Sequence, residues 1–420
     1  MIVVTELKMS NFYVRSGAFA VLSLLGAFFS YFLYPILTRV LNTQEFGDFA
    51  VIVAISNQLL GILLAFNIIS IYLVKSQSEE QARNHTQVIQ KTLIWLLLAA
   101  SVVVVVASPF LNDLLKVDNT IYFLLLGLIV VAAVPGVIWT GYLQGHKELV
   151  RVGAFSVSAA LGRLVFASIL AVAFGTTGSL IGMLIGALVG LFVVYFAPGV
   201  KLPTLKSALD KSSIEEKKFL LSLKKYLLEC LLVVGALGFM QNYDILLAKA
   251  LFDQNEAGVY SGISVLSNAL YFLSFLLIWI VLPEIKIGDD KNNHRLIKTA
   301  YKVLASLAVV VLSIEIIFKG SLTGLLLGNS FAGGGQILIY ATLYQLTLVA
   351  IALYVFYLLV IRQRRAALLA AICIVMTLSL PALYSNSPLE MVRLLWLSLV
   401  ISCGIYWIVL SLSRLRQTKV

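Results

Sequence analysis

LTRVLNTQEFGDFAVIVAISNQL, residues 37–59, has an echo later in the chain, LAKALFDQNEAGVYSGISVLSNAL at residues 247–270. Arg39 falls on Lys249 and Leu41 on Leu251 at an offset of 210, and the extra Phe252 then moves the offset to 211. From there Asn42 matches Asp253, Glu45 matches Glu256, Gly47 matches Gly258, Phe49 matches Tyr260, and Ser56-Asn57 matches Ser267-Asn268. Each copy reads as the end of an apolar helix, a cation, a short turn and a second apolar helix. Asn42 or Asp253 can cap the second helix, with Glu45 or Glu256 closing a capping box. An offset of half of 420 residues predicts duplicated halves.

Working outward, hydrophobic residues make up 60% of the chain and charged residues 12%, with a mean hydropathy of +0.99. A soluble domain carries roughly 25% charged residues, so this much apolar surface needs lipid around it. The expected fold class is an all-α polytopic membrane protein. About 20 apolar residues span a bilayer, and twelve such runs are present: 16–41, 46–74, 92–111, 120–143, 151–175, 178–198, 226–251, 256–283, 297–318, 335–361, 366–385 and 390–412. The first run is too long for a signal-peptide core and lacks a small-residue cleavage site, so it is expected to stay as an anchor. Connections are short throughout, which leaves no room for a soluble catalytic domain. The expected organisation is a six-helix lobe over 1–198, a cytoplasmic linker over 199–225 and a second six-helix lobe over 226–420. Six spans per half give both copies one orientation, so they should be related by a pseudo-two-fold axis along the membrane normal, with a cleft between them.

The net charge of +11 describes topology rather than a nucleic-acid partner. With the N-terminus cytoplasmic, one side's loops and tails hold 24 of the 31 lysines and arginines, including the run from Lys201 to Lys225. That bias predicts cytoplasmic termini. The linker carries Pro203, many lysines and Ser213-x-x-Glu216, and reads either as a solvated connection or as a segment resting on anionic lipid. Cys230, Cys373 and Cys403 lie in apolar runs without metal-ligand spacing and read as small core residues. The three histidines, His85, His146 and His294, fall in polar connections. No phosphate-binding glycine loop, zinc spacing or nucleophile triad is present, and no cofactor is expected.

What remains are ionisable residues inside spans, which are costly there and tend to face protein or water. Arg163, in SAALGRLVFAS near the centre of the fifth span, is the best candidate for an anion contact, with a structural pairing as the other reading. Arg39 and Lys249 end the first span of each half; they either snorkel to headgroups or flank a cleft. Asp244, in MQNYDILLAK, is the candidate for exchanging a proton or a sodium ion, with a static ion pair as its rival; Glu229 and Glu315 are weaker candidates closer to span ends. Arg393 reads as an interface anchor. Pro35, Pro135 and Pro381 interrupt spans one, four and eleven and predict bent helices.

At these residues the chain resembles the Wzx-type polysaccharide flippases of the multidrug/oligosaccharidyl-lipid/polysaccharide exporter superfamily. The resembling stretches are SGAFAVLSLLGAFFSYFLYPILTRVLNTQEFGDFAV and NYDILLAKALFDQNEAGVYSGISVLSNALYFLSFLLIWIVLPEI, the latter with an aspartate-bearing helix, G-x-Y-S and a helix ending in L-P. They cover about a third of the chain, and the twelve-span plan extends the likeness to all of it. The resemblance implies movement of an undecaprenyl-diphosphate-linked oligosaccharide from the cytoplasmic to the periplasmic leaflet of a bacterial inner membrane. It implies a cationic cavity for the diphosphate, with Asn57, Gln58, Asn67, Asn268, Tyr344 and Gln345 as candidate sugar partners. It also implies membrane lipids as surroundings and contact with the polysaccharide polymerase and chain-length machinery. Lipid II flippases of this superfamily usually carry two further helices, which favours O-antigen, capsule or exopolysaccharide units here. The rival readings are a cation-coupled multidrug antiporter of the same superfamily, which would need acidic cavity residues, and a membrane polymerase, which would need a larger outer loop.

Overall fold

The computed structural model describes the chain except residues 1, 118, 204–232, 234, 282–284, 286–289, 320, 361–364 and 418–420. The described residues form helices and no strand. In chain order these are α1 (Ile2–Val40), α2 (Thr43–Ser76), α3 (Glu79–Val106), the short α4 (Ser108–Leu115), α5 (Ile121–Gly145), α6 (Leu149–Phe196) and α7 (235–251). They continue with α8 (Gln254–Val281), α9 (Asp290–Ile317), the short α10 (Leu322–Leu327), α11 (Gly335–Val360), α12 (Arg365–Tyr384) and α13 (Pro388–Gln417). Among the described residues seven helices are long and apolar enough to cross a membrane. One of these is α6, which holds two of the expected spans. The chain is an all-α, multi-pass membrane protein.

The duplication runs through the helix plan. Helices α2 and α8 start 211 residues apart, at Thr43 and Gln254, and α3 and α9 are both 28 residues long and also start 211 apart, at Glu79 and Asp290. The turn before α2 is the expected capping box: Asn42 Oδ1 accepts from the Glu45 amide at 2.8 Å, and Glu45 Oε2 accepts from the Asn42 amide at 3.1 Å. Before α8, Asp253 Oδ1 accepts from the amides of Asn255 and Glu256, each at 2.8 Å.

Helix α3 starts well before the apolar run that predicts its span. Its first turn carries Glu79 and Glu80 beside the Ser78 cap, and Ala82, Thr86, Ile89 and Leu93 bury one helical face. Acidic residues near a helix N-terminus and an apolar stripe at helical spacing stabilise such a polar start.

Helix α6 reverses at Gly175, where φ is 55° and ψ is −137°. That left-handed backbone suits glycine, and a Cβ there would meet Glu45 Oε1 at 2.8 Å. Thr176 Oγ1 donates to the Glu45 carbonyl at 2.9 Å, which ties the reversal to the start of α2. The outgoing limb then packs closely on the incoming one. A Cβ on Gly182 would lie 2.2 Å from the Ala167 amide nitrogen, and one on Gly186 would lie 2.3 Å from that of Arg163. In lipid, where apolar burial between helices gains little, this close approach of small residues is a main source of helix association.

By its internal contacts the chain divides into two compact units, Met1–Leu228 and Glu229–Val420. In the first, α1 packs along α6, α2 along α5, and α5 against α3 and α6. In the second, α8 packs along α11, α11 against α9 and α13, and α12 against α13. Polar side chains also join helices. Asn67 on α2 donates to the Val137 carbonyl at 3.0 Å and to Thr140 Oγ1 at 3.1 Å on α5. Gly141 stands opposite, where a Cβ would come 2.5 Å from the Asn67 carbonyl oxygen.

Candidate functional site

Two of the sequence-predicted ionisable residues, one in each unit, lie within helices and carry opposite charge. In the first unit this is Arg163 on α6. Gly186 faces its backbone, and this packing leaves its side chain directed toward α1. Arg163 Nε donates to the Ala159 carbonyl and Nη2 to Ser30 Oγ, both at 3.3 Å. Tyr34 on α1 lies beside the guanidinium. Both hydrogen-bond partners are neutral, and no ion pair to Arg163 is found among the described residues. Two long bonds leave Nη1 with donor capacity for a further acceptor.

In the second unit the group is Asp244 on α7, fully buried. Its Oδ2 accepts from Tyr260 Oη at 2.9 Å and from Ser264 Oγ at 2.5 Å, both on α8. Oδ1 has no hydrogen-bond partner among the described residues. The rival expectation of an ion pair is not met there, since the carboxylate is held by hydroxyls. One helical turn before it, the Gln241 carbonyl accepts from Gln345 Nε2 at 3.1 Å, and the Met240 carbonyl accepts from Tyr344 Oη at 2.5 Å. Among the described residues Gln345 Oε1 and Asn242 Nδ2 are buried without hydrogen-bond partners. The arrangement is a polar interior strung along α7, α8 and α11, with a free carboxylate oxygen that can take a proton.

The remaining predicted residues separate. Arg39 is exposed and donates to the Pro35 carbonyl at 2.7 Å, whereas its counterpart Lys249 is fully buried. Asn57 is half-buried on α2 and Asn268 is buried on α8. Asn67, a candidate for sugar contact by sequence, spends its amide on the α2–α5 joint described above. Glu229 lies outside the described residues, as does Cys230. Arg393 is half-buried, and its guanidinium stacks over the Tyr340 ring at 4.8 Å from the centroid. Among the described residues no group of three His, Cys, Asp or Glu could hold a metal ion.

Two features escaped the sequence reading. Tyr260 and Ser264 are the partners of Asp244, and the available signal was their polarity where the first copy has Phe49 and Val53. Arg151 reads by sequence as one of the topology-setting loop cations, yet it is 7% exposed. It donates to the carbonyls of Val200 at 3.0 Å and Val194 at 2.8 Å, while Trp139 Nε1 donates to the Pro203 carbonyl at 3.0 Å. Together they dock residues 197–203 onto the first unit beside buried Leu202. No residue pattern marks a guanidinium that will meet carbonyls 43 and 49 residues away.

No family profile and no curated protein matches the chain. Solved structures do. A lipid II flippase, MurJ, in an inward closed conformation superposes with a TM-score of 0.69 at 13% identity, covering 95% of this chain and 87% of that one. An inward-facing multidrug resistance MATE family transporter of the MOP superfamily gives a TM-score of 0.63 at 14% identity, covering 94% and 96%. A Vibrio cholerae MATE transporter gives 0.55 at 13% identity, covering 93% and 97%. At such identities the likeness is one of fold, and this chain has the fold that those flippase and transporter structures share.

Proposed function

We propose that this chain is a flippase that moves an undecaprenyl-diphosphate-linked oligosaccharide repeat unit, of the O-antigen, capsule or exopolysaccharide kind, by alternating access. The direction is from the cytoplasmic to the periplasmic leaflet of a bacterial inner membrane, with both termini cytoplasmic. The observation that carries this reading is Arg163, a cation within a membrane helix whose hydrogen bonds go to neutral groups. Arg163 is half-buried, and a partly desolvated charge within a membrane helix is costly unless an anion joins it. A diphosphate supplies that anion and can accept from Nη1. The sugar needs amide and hydroxyl partners, for which Asn57, Asn268 and the unengaged Oε1 of Gln345 are the proposed contacts. Arg39 and Lys249 are proposed as secondary contacts of the headgroup. The prenyl tail stays in lipid while the head crosses.

Asp244 is the proposed coupling group, taking a proton or sodium ion in one conformation and releasing it in another. The fold of a lipid II flippase supports a lipid-linked substrate. Residues 199–225 are proposed as the linker between the lobes, and polymerase and chain-length proteins as partners.

Asp244 also carries the second reading, a cation-coupled multidrug antiporter, because a buried carboxylate suits a cationic drug. One strain decides between them. Cells lacking the protein should accumulate lipid-linked repeat units on the cytoplasmic side and keep their drug susceptibility. Normal periplasmic delivery together with raised susceptibility would replace the flippase reading with the antiporter.

A further inference from the structure

The second unit holds another buried carboxylate, on a different pair of helices from the Asp244 site. Glu315 lies two residues before the end of α9 and is 4% exposed, while Ile314, Ile316 and Ile317 around it are exposed at 44%, 60% and 74%. Glu315 therefore points inward, against α11. There Thr342, fully buried, donates to Oε1 at 2.7 Å. Oε2 is buried with no hydrogen-bond partner among the described residues.

The electrostatic surroundings are equally plain. Helix α9 packs on α8 and α11. The titratable side chains of α8 are Glu256, Tyr260 and Tyr271, and those of α11 are Tyr340, Tyr344, Tyr354 and Tyr357. On α9 itself the nearest are Tyr301 and Lys302, with Lys319 one turn beyond Glu315. No charged group among these acts on Glu315, whose one hydrogen-bonding side chain is Thr342. A carboxylate with one hydroxyl donor and no cation is poorly compensated in such a place. A hard metal cation is equally poorly served, since it takes about six oxygens. A proton needs only the carboxylate.

We infer that Glu315 is a proton-binding site, separate from Asp244, which exchanges with the aqueous phase at the α9–α10 end of the unit. Helix α9 ends two residues beyond Glu315, and Lys319 in the turn that follows is exposed, so the carboxyl lies close to that surface. The exchange is a simple acid dissociation. The Oε2–H bond breaks, its electron pair stays on the carboxylate, and water at that end takes the proton while the Thr342 hydroxyl keeps its bond to Oε1. The inference does not depend on what the chain transports.

Dicyclohexylcarbodiimide, which reacts with protonated carboxyls in apolar surroundings, tests it on the full-length protein in liposomes. Peptide mass spectrometry should find the adduct on Glu315 at mildly acidic pH. Labelling should fall about tenfold per pH unit above its midpoint, as one proton requires. Thr342→Val removes the donor that favours the ionised form, so labelling should persist to higher pH. Glu315→Gln should lose this adduct and leave any adduct on the Asp244 peptide in place. An unlabelled Glu315 peptide at every pH, a flat pH profile, or a profile unmoved by Thr342→Val would overturn the site as described.

Discussion

The leading hairpins of the two units place the same pair of positions side by side and fill them with different chemistry. In the first, Tyr34 on α1 packs against Phe49 on α2 with ring centroids 6.4 Å apart. In the second, the matching residues are Asp244 and Tyr260, joined by a 2.9 Å hydrogen bond, with Ser264 adding a second where the first copy has Val53. The two copies share their helix spacing and a side-chain cap at Asn42 or Asp253, and differ in the side chains at these positions. The apolar pair lies in the unit that holds Arg163, and the carboxylate lies in the unit whose interior hydroxyls and amides surround it. The proposed function assigns the anion to the first unit and the proton or small cation to the second. That division of labour suits a transporter that couples two different ligands.

The harshest way to break the comparison is to write the second unit's chemistry into the first. Tyr34→Asp puts a carboxylate beside Arg163, where the two would pair. Transport should fall to the background of the deletion strain while membrane abundance holds. Lipid-linked repeat units accumulating in the cell report the loss. Arg163→Gln should cost about 1.5–3 kcal/mol of charge-assisted bonding, or roughly ten- to a hundredfold in transport, with Arg163→Lys recovering part of it.

The reverse change acts on stability. Asp244→Leu leaves the Tyr260 and Ser264 hydroxyls buried without an acceptor, at about 1–3 kcal/mol each. It should therefore lower the melting temperature in detergent more than Asp244→Asn, whose amide oxygen still accepts. Tyr260→Phe removes one donor and should cost about 1 kcal/mol. The smallest effect is expected from Asn67→Leu, because interhelical hydrogen bonds in lipid are worth about 0.6 kcal/mol on average. That variant should transport normally, since Asn67 serves the α2–α5 joint.

Much of the fold was legible in the sequence because its causes are local. The capping box at Asn42 and Glu45 depends on residues three apart, the apolar runs mark the spans, and the offset of 211 reappears in the starts of α2 and α8 and of α3 and α9. The early start of α3 was missed because its polar residues read as a loop, although Ala82, Thr86 and Ile89 already carry the helical period.

The sites were legible only as single residues. Arg163 and Asp244 stand out as charges in apolar runs, but their partners lie 133 residues away at Ser30, or 16 and 20 residues away at Tyr260 and Ser264. The contrasting fates of Arg39 and Lys249, one exposed and one buried, were equally hidden. Equivalent positions in a repeat share a backbone environment without sharing the neighbours that decide burial.

The claim that the first unit receives the anion is tested most directly by binding undecaprenyl diphosphate to the purified full-length chain. Wild type, Arg163→Gln and Asp244→Asn would be compared at one pH and salt concentration. Affinity should fall roughly ten- to a hundredfold in Arg163→Gln, the loss of a charged hydrogen bond, and stay near wild type in Asp244→Asn. Equal affinity in wild type and Arg163→Gln, or an equal loss in both variants, would contradict the assignment.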